Sequence, residues 1–183
     1  MSQKKRDFYH IAKESGASQD AFELSKLLEI VDRIKPEKIL EIGVHRGLSI
    51  KAWREAWPAA FVVGVDSDFE PLEYTDFEQV QGDSHDPATK EKFSTVGQFD
   101  FIFIDGDHTL EGVRKDYEMY GSLVRPGGIM AFHDIMRSPE RISYHAGVDC
   151  RVFFDELKNR HATIEIWNGT AGDNGPGIGV IFL

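Results

Sequence analysis

Apolar runs that alternate with helical spacings along the chain predict an α/β sheet. Several short segments have the length and the β-branched or aromatic content of strands. Four of them are almost continuously apolar, which is typical of strands covered by helices on both faces. The predicted strands are 39–42, 61–65, 77–81, 99–104, 129–132, 163–167 and 179–183.

Amphipathic patterns separate these strands. Apolar residues recur at helical spacing over 22–31, and Pro36 closes that helix before the first strand. A second pattern covers 110–124 and ends at the proline-glycine-glycine of 126–128, and a third covers 149–160. Strands that alternate with helices favour a doubly wound α/β sheet.

The end of the chain differs from the rest. Residues 168–176 join the last two predicted strands and are too few for a helical crossover, which indicates that the last strand is antiparallel. A chain of 183 residues fits a single domain. In this domain, 1–36 is an N-terminal arm and helix, and 136–148 is a candidate lid loop.

Composition and charge narrow the class of protein. Hydrophobic residues make up 41% and charged residues 28%, and no apolar run approaches the roughly 20 residues of a membrane span. The net charge of −10 disfavours nucleic acids and anionic membranes as partners. Residues 1–6 are followed by Asp7 and not by an apolar stretch, so no secretory signal is predicted. The single cysteine, Cys150, fits a reducing compartment, so we expect a cytoplasmic protein and leave a homo-oligomer open.

A glycine turn follows the first strand. It reads Glu41-x-Gly43-x-x-x-Gly47, and Asp66 ends the second strand. Parallel α/β sheets bind ligands at the carboxyl ends of their strands, where glycines let the backbone approach a ligand closely. Asp66 could accept both hydroxyl hydrogens of a ribose. The pattern therefore predicts a nucleoside-binding turn.

Glu41 separates two classes of nucleoside ligand. A dinucleotide-binding turn has the pattern Gly-x-Gly-x-x-Gly, and this chain has Glu41 in place of the first glycine. A carboxylate there would repel a pyrophosphate but attract an ammonium or sulfonium group, directly or through water. S-adenosylmethionine carries both groups and is favoured over NAD.

The same residues give nearly all of the chain a resemblance to the class I S-adenosylmethionine-dependent methyltransferases. Residues 41–47 resemble the first motif of that family, Asp66 its ribose acid, and 82–84 its adenine-contacting segment. Residues 99–108 and 123–134 are similar to the small-molecule O-methyltransferase-like branch, which includes cephalosporin hydroxylase-like proteins. The resemblance implies a Rossmann-like sheet of seven strands, mostly parallel with the last strand antiparallel.

The resemblance also implies a set of donor-binding residues. They are Glu41, Gly43, His45, Gly47, Ser49, Asp66, Asp83, Ser84 and Asp105. In this set, Asp83 would accept a hydrogen bond from the exocyclic amine of adenine. An NAD-type oxidoreductase and a noncatalytic nucleoside-binding module stay open as alternatives.

Two carboxylates follow predicted core strands directly. Asp105 and Asp134 end the fourth and fifth strands, and their side chains would share a crevice with His108 if these strands are neighbours. Carboxylates suit Mg²⁺, and the resemblance implies metal ligands at these two positions. Metal dependence nevertheless stays open at this stage.

The predicted catalytic residues are Asp105, His108 and Asp134. His108 is the preferred base for an acceptor hydroxyl, and Asp134 would take that part in a metal-free site. The alternative is structural: His108 would cap the helix that follows, and Asp105 would receive backbone amides in a turn. The expected reaction is methyl transfer from S-adenosylmethionine to a small molecule, on a hydroxyl oxygen; the acceptor itself is not predicted.

Overall fold

The structure is a computed structural model that describes residues 6–69, 71–136, 149–169 and 176–183. Its α-helices are α1 (Phe8–Ser15), α2 (Ala21–Val31), α3 (Leu48–Ala56), α4 (Pro87–Glu91), α5 (Leu110–Tyr120) and α6 (Cys150–Leu157). Its strands are β1 (Lys38–Ile42), β2 (Phe61–Asp66), β3 (Glu78–Gln81), β4 (Phe99–Ile104), β5 (Val124–His133), β6 (Ala162–Ile166) and β7 (Ile178–Phe182). Short 3₁₀ turns follow α2 and α5.

The strands form one seven-stranded sheet in the order β3-β2-β1-β4-β5-β7-β6. Neighbouring strands from β3 to β5 pair in parallel, whereas β7 is antiparallel to both β5 and β6. The predicted sheet with an antiparallel last strand is confirmed. The strand order reverses between β1 and β4, and a parallel sheet opens a crevice for ligands at such a point.

Helices cover both faces of the sheet, as the apolar strands predicted. On one face, Leu24 of α2 and Trp53 of α3 pack in a cluster that includes Phe101 and Phe103 of β4. On the other face, α5 and α6 pack over the alternate strand residues, and Phe153 of α6 is fully buried there. Burial of a side chain of this size contributes about 2 kcal/mol. Within the described ranges, no helix combines the length and the hydropathy that a membrane span requires.

The fifth strand begins earlier than predicted. The proline-glycine-glycine at 126–128 was expected to end the preceding helix, but α5 ends at Tyr120, and β5 already begins at Val124. The pairing with β4 shifts register there, and Gly127, with φ of 75°, donates its amide to the carbonyl of Leu183. These glycines therefore shape an irregular strand. Of the proposed lid, 137–148 lie outside the described residues.

Candidate active site

The turn between β1 and α3 is built on glycines at two close backbone approaches. Gly43 has φ of 83°, and a Cβ at this position would lie 2.3 Å from the carbonyl oxygen of Asp105. Gly47 has φ of 79°, and its Cβ would lie 2.6 Å from the carbonyl oxygen of Tyr74. Left-handed backbone and lack of space both require glycine. The turn is thereby pressed against the end of β4.

Asp66 at the end of β2 closes this turn from the other side. Its Oδ2 accepts hydrogen bonds from the amides of Val44 (2.8 Å) and His45 (3.0 Å). Its Oδ1 accepts from the amide of Asp68 at 3.2 Å. The sequence predicted Asp66 as a ligand residue, but it did not predict that the same carboxylate holds the turn.

A cavity of about 580 Å³ opens at the carboxyl ends of β1, β2 and β4. Six of the predicted donor-binding residues line it: Gly43, His45, Asp66, Asp83, Ser84 and Asp105. Further lining residues that the sequence interpretation missed are Ser67, His85, Gly106 and Asp107. The signal for them was available, because each follows a strand end at the same edge of the sheet. The several aspartates make the cavity suited to hydroxyl, amine or cationic groups and not to a pyrophosphate.

Three of the predicted donor-binding residues do not line the cavity. Glu41 is fully buried, and its carboxyl group is hydrogen-bonded to the hydroxyl of Ser49 and, at 2.5 Å, to the indole Nε1 of Trp53. Gly47 belongs to the turn itself, as the N-cap residue of α3. Glu41 was expected to face an ammonium or sulfonium group, but strand alternation turns its side chain towards α3. Glu41 and Ser49 therefore support the turn from behind, and Gly47 shapes it.

A second cluster lies beside the cavity and shares Asp105 with it. The Oδ1 of Asp105 is 2.8 Å from Nδ1 of His133 and 3.2 Å from Nε2 of His108. Its Oδ2 accepts a hydrogen bond from Nε2 of Gln19 at 2.5 Å. In place of the turn amides of the structural alternative, the Asp105 carboxylate contacts the three side chains of His133, His108 and Gln19. The helix cap is Thr109, not His108, because the Thr109 hydroxyl accepts from the amide of Gly112.

Asp134 completes this cluster from the end of β5. It has φ of 59°, and its Oδ2 lies 3.1 Å from Nδ1 of His108 and 3.4 Å from Nδ1 of His133. One ligand atom from each of Asp105, His108 and Asp134 lies within 4.8 Å of the others. The structure thus brings the three predicted catalytic residues together.

The charges of this cluster compensate one another. Burial raises the pKa of Asp105, but the charges and hydrogen bonds of His133 and His108 outweigh it and hold the pKa below its usual value. Burial lowers the pKa of both histidines, yet Asp105 and Asp134 raise the pKa of His108 and bring that of His133 to about 10. The imidazolium groups therefore neutralise two carboxylates that would otherwise repel each other.

Gln19 and His133 are the members of this cluster that the sequence did not assign. Gln19 precedes α2 and is 86 positions from Asp105, and no local pattern marks it. His133 was given no role by the sequence interpretation, and it is 7% exposed. Because Asp134 has a left-handed φ of 59°, strand alternation stops after His133, and both side chains reach Asp105 or its neighbours in the same cluster.

Comparison with known proteins agrees with this geometry. Residues 40–135, more than half of the chain, match the model of a protein family described as a methyltransferase domain. A comparison with curated proteins gave no match.

Three solved structures illustrate the likeness in fold. MycE, a methyltransferase from the mycinamycin biosynthetic pathway in complex with Mg and S-adenosylhomocysteine (SAH), is 18% identical with a TM-score of 0.67, covering 97% of this chain and 54% of MycE. A putative caffeoyl-CoA O-methyltransferase from Staphylococcus aureus is 14% identical with a TM-score of 0.68, covering 97% and 92%. The O-methyltransferase TomG from Streptomyces achromogenes, in complex with S-adenosylmethionine (SAM), is 18% identical with a TM-score of 0.65, covering 100% and 92%.

The sheet order and these structures define the class I methyltransferase fold. The chain spans about half the length of MycE and nearly all of the other two chains. The family match goes further than the fold, and this protein belongs to the family of methyltransferase domains.

Proposed function

We propose that this protein transfers a methyl group from SAM to a hydroxyl oxygen of a small molecule, with help from a divalent metal. One observation carries the proposal: Asp105 belongs to both sites. It lines the cavity beside the glycine turn, and its carboxylate lies in the cluster with His108 and Asp134. A donor in the cavity and an acceptor at the cluster would therefore meet at Asp105. Such alignment is the main requirement of a direct displacement.

The cavity suits the parts of SAM. Asp66 accepts three backbone amides and keeps about one lone-pair site, on Oδ1, for a ribose hydroxyl, and Asp83, an exposed residue at the cavity wall, can accept from the amine of adenine. Gly43 lines the cavity with its backbone, and the place of its missing side chain is taken by the carbonyl group of Asp105. The volume of the cavity, about 580 Å³, also lies within the ordinary range for ligand pockets.

The residues of the cluster fit a divalent cation. Asp105 and Asp134 would hold it through carboxylate oxygens, with His108 as a neighbouring nitrogen ligand or base. MycE, one of the similar structures, contains Mg. When bound, such an ion lowers the pKa of a hydroxyl group that coordinates it.

His108 is the residue that we assign to proton transfer. Burial lowers its pKa, but Asp105 and Asp134 raise it above the usual value, so these two carboxylates favour the protonated ring. Accepting a proton from the acceptor hydroxyl requires the neutral ring. We therefore expect methyl transfer to increase with pH as His108 loses its proton.

The acceptor is proposed to be a small molecule in a reducing compartment such as the cytoplasm. The net charge of −10 disfavours a nucleic-acid substrate, and the single cysteine does not call for an oxidising environment. A second structure of MycE contains mycinamycin VI, and TomG is involved in tomaymycin synthesis. These neighbours support a small acceptor without naming the one used here.

The proposal is tested by calorimetric titration of the protein with SAH and with NAD⁺, each with and without Mg²⁺. We expect saturable binding of SAH and none of NAD⁺. Binding of NAD⁺ without SAH would instead support an oxidoreductase. Transfer of labelled methyl groups from SAM to a set of hydroxylated small molecules, with and without Mg²⁺, then separates an enzyme from a noncatalytic nucleoside-binding module.

A further inference from the structure

A buried carboxylate on α5 lies behind the wall of the donor cavity. Asp116 is 0% exposed, and its Oδ1 accepts a hydrogen bond from the hydroxyl of Ser84 at 2.8 Å. The Nε2 of His85 lies 3.2 Å from the same oxygen but off the line of a hydrogen bond. Tyr120 donates to the carbonyl of Ser84 at 2.9 Å. Both Ser84 and His85 line the cavity, whereas Asp116 does not.

The second oxygen of Asp116 faces the other loop of the cavity wall. A Cβ built on Gly106 would lie 3.7 Å from Oδ2, so this oxygen lies behind the segment 105–107. Oδ2 is buried and has no hydrogen-bond partner within the described ranges. Burial raises the pKa of Asp116 to about 6, although the Ser84 bond opposes this. An incompletely paired buried carboxylate is unfavourable for stability, so its place in the fold requires another reason.

Asp116 also biases which hydrogen-bonding group His85 presents. A carboxylate 3.2 Å from Nε2 favours a proton on that nitrogen over Nδ1 even without an aligned hydrogen bond, so the neutral ring presents Nδ1 as an acceptor. An acceptor in the cavity wall recognises an exocyclic amine and rejects a carbonyl at the same place. Asp83, in the same loop, is another acceptor.

We propose that Asp116 is a positioning residue that orients Ser84 and His85, so that the far end of the cavity recognises the amine of the donor's purine base. The inference rests on the proposed function, because it takes the ligand of the cavity to be an adenosyl compound. Asp116 acts through the loop 83–85 and does not touch the donor.

The test compares the affinity for SAH with that for S-inosylhomocysteine, which carries a carbonyl in place of the amine. Wild-type protein, Asp116→Leu, Asp116→Asn and the control Glu118→Gln are titrated with both ligands. Glu118 is an exposed acid on the same helix, so its substitution removes a charge without reaching the cavity.

We expect Asp116→Leu to bind SAH roughly tenfold more weakly, the effect of one lost hydrogen bond, because the loop 83–85 would no longer hold an acceptor in place for the purine amine. Its preference for SAH over S-inosylhomocysteine should fall towards one. Asp116→Asn keeps an oxygen for Ser84 and His85, so both affinity and preference should stay near those of the wild type. A general loosening of the fold would lower both affinities together and leave the preference unchanged.

Three results would overturn the inference. The preference for SAH over S-inosylhomocysteine could be unchanged in Asp116→Leu, it could be lost in Asp116→Asn, or the wild-type protein could show no preference. If Asp116→Leu does not fold, His85→Leu is titrated with the same two ligands, because His85 lines the cavity. An unchanged preference for SAH in His85→Leu would also contradict the inference. A wild-type protein that binds neither ligand contradicts the proposed function itself. A wild-type protein that binds SAH with a preference insensitive to Asp116 contradicts this inference alone.

Discussion

At the residue scale, the contact between Gly43 and Asp105 fixes the geometry of the candidate donor site. The carbonyl oxygen of Asp105 lies where a side chain at Gly43 would begin, which brings the glycine turn and the end of β4 together. The same contact places Asp105 at the boundary between the cavity and the acidic cluster. Replacement of Gly43 therefore acts on both sites through a backbone displacement.

Gly43→Ala should lose SAH binding and destabilise the protein by more than about 3 kcal/mol, because left-handed strain adds to a backbone clash. Gly97→Ala is the matched control. Gly97 has a similar φ of 79°, but among the described residues its Cβ would meet only the Lys38 amine, at 3.8 Å. That variant should lose only about 1–2 kcal/mol and bind SAH normally. Urea unfolding and calorimetry measure both effects, and equal behaviour of the two variants would contradict the account.

Glu41 should make stability depend on pH in a definite direction. Burial raises its pKa to about 8 from 4.5, and the bonds from Ser49 and Trp53 offset this only in part. Between these two values the folded protein holds a proton that the unfolded chain releases. The contribution of Glu41 to the free energy of unfolding is therefore complete below the unfolded pKa of 4.5 and is lost as pH rises through the folded pKa of about 8. The loss is at most about 1.4 kcal/mol per pH unit.

The substitution Glu41→Gln removes this titration while it keeps a neutral group that bonds to Ser49 and Trp53. Urea unfolding between about pH 5 and pH 8.5 should show a flatter stability profile for the variant than for the wild type. Parallel profiles would show that Glu41 does not hold its proton in the folded state.

At the element scale, the start of α2 connects distant parts of the sheet's carboxyl edge. Asp20 caps the helix, and Gln19 before it reaches Asp105 at the end of β4. One turn further, the buried Glu23 accepts amides from Asn168 after β6 (3.0 Å) and Gly177 before β7 (3.1 Å). This helix therefore holds three strand ends in place around the acidic cluster.

Glu23→Ala should destabilise the protein by about 3 kcal/mol, because it leaves one buried amide and one half-buried amide without their charged acceptor. Glu29→Ala on the same helix is the control, since Glu29 is exposed and, in the part of the chain that the structure describes, pairs only with Lys26. Its effect should stay within about 0.5 kcal/mol. Similar losses in the two variants, measured by urea unfolding, would rule out the connecting role of α2.

The boundaries of some helices and strands could not be predicted, because they depend on pairing between distant parts of the chain. The apolar runs predicted the sheet because a strand covered on both faces has no polar alternation. The start of β5 was missed, since proline and glycines usually end an element, and only pairing with Leu183 at the other end of the chain reveals the irregular strand. Such long-range pairing leaves no local pattern.

At the scale of the whole molecule, the sequence predicted positions along strands better than the contacts between layers. Asp66, Asp105 and Asp134 were found because each follows a strand, and strand ends meet at one edge. The contact of Gln19 with Asp105 depends on how α2 lies over the sheet, and the inward turn of Glu41 depends on the indole of Trp53. Both contacts depend on how a helix packs against the sheet, which the local sequence does not specify.

Two sites that share one residue should separate by mutation. Asp66→Ala should weaken SAH binding roughly tenfold while Mn²⁺ binding is kept, and Asp134→Asn should do the reverse, because Asp134 does not line the cavity. Asp105→Asn should weaken both. Calorimetry follows SAH, and electron paramagnetic resonance follows Mn²⁺. If Asp134→Asn instead lost SAH and kept Mn²⁺, the division into donor and metal residues would be wrong.

The most direct test of the account is a crystal structure of the protein with SAH and Mn²⁺, measured at a wavelength that reveals manganese by anomalous scattering. We predict the ribose of SAH at Asp66, its base beside the loop 83–85, and a single manganese peak between Asp105 and Asp134. SAH outside the cavity, or manganese bound away from these two carboxylates, would contradict a methyl-transfer site that joins a donor and a metal at Asp105.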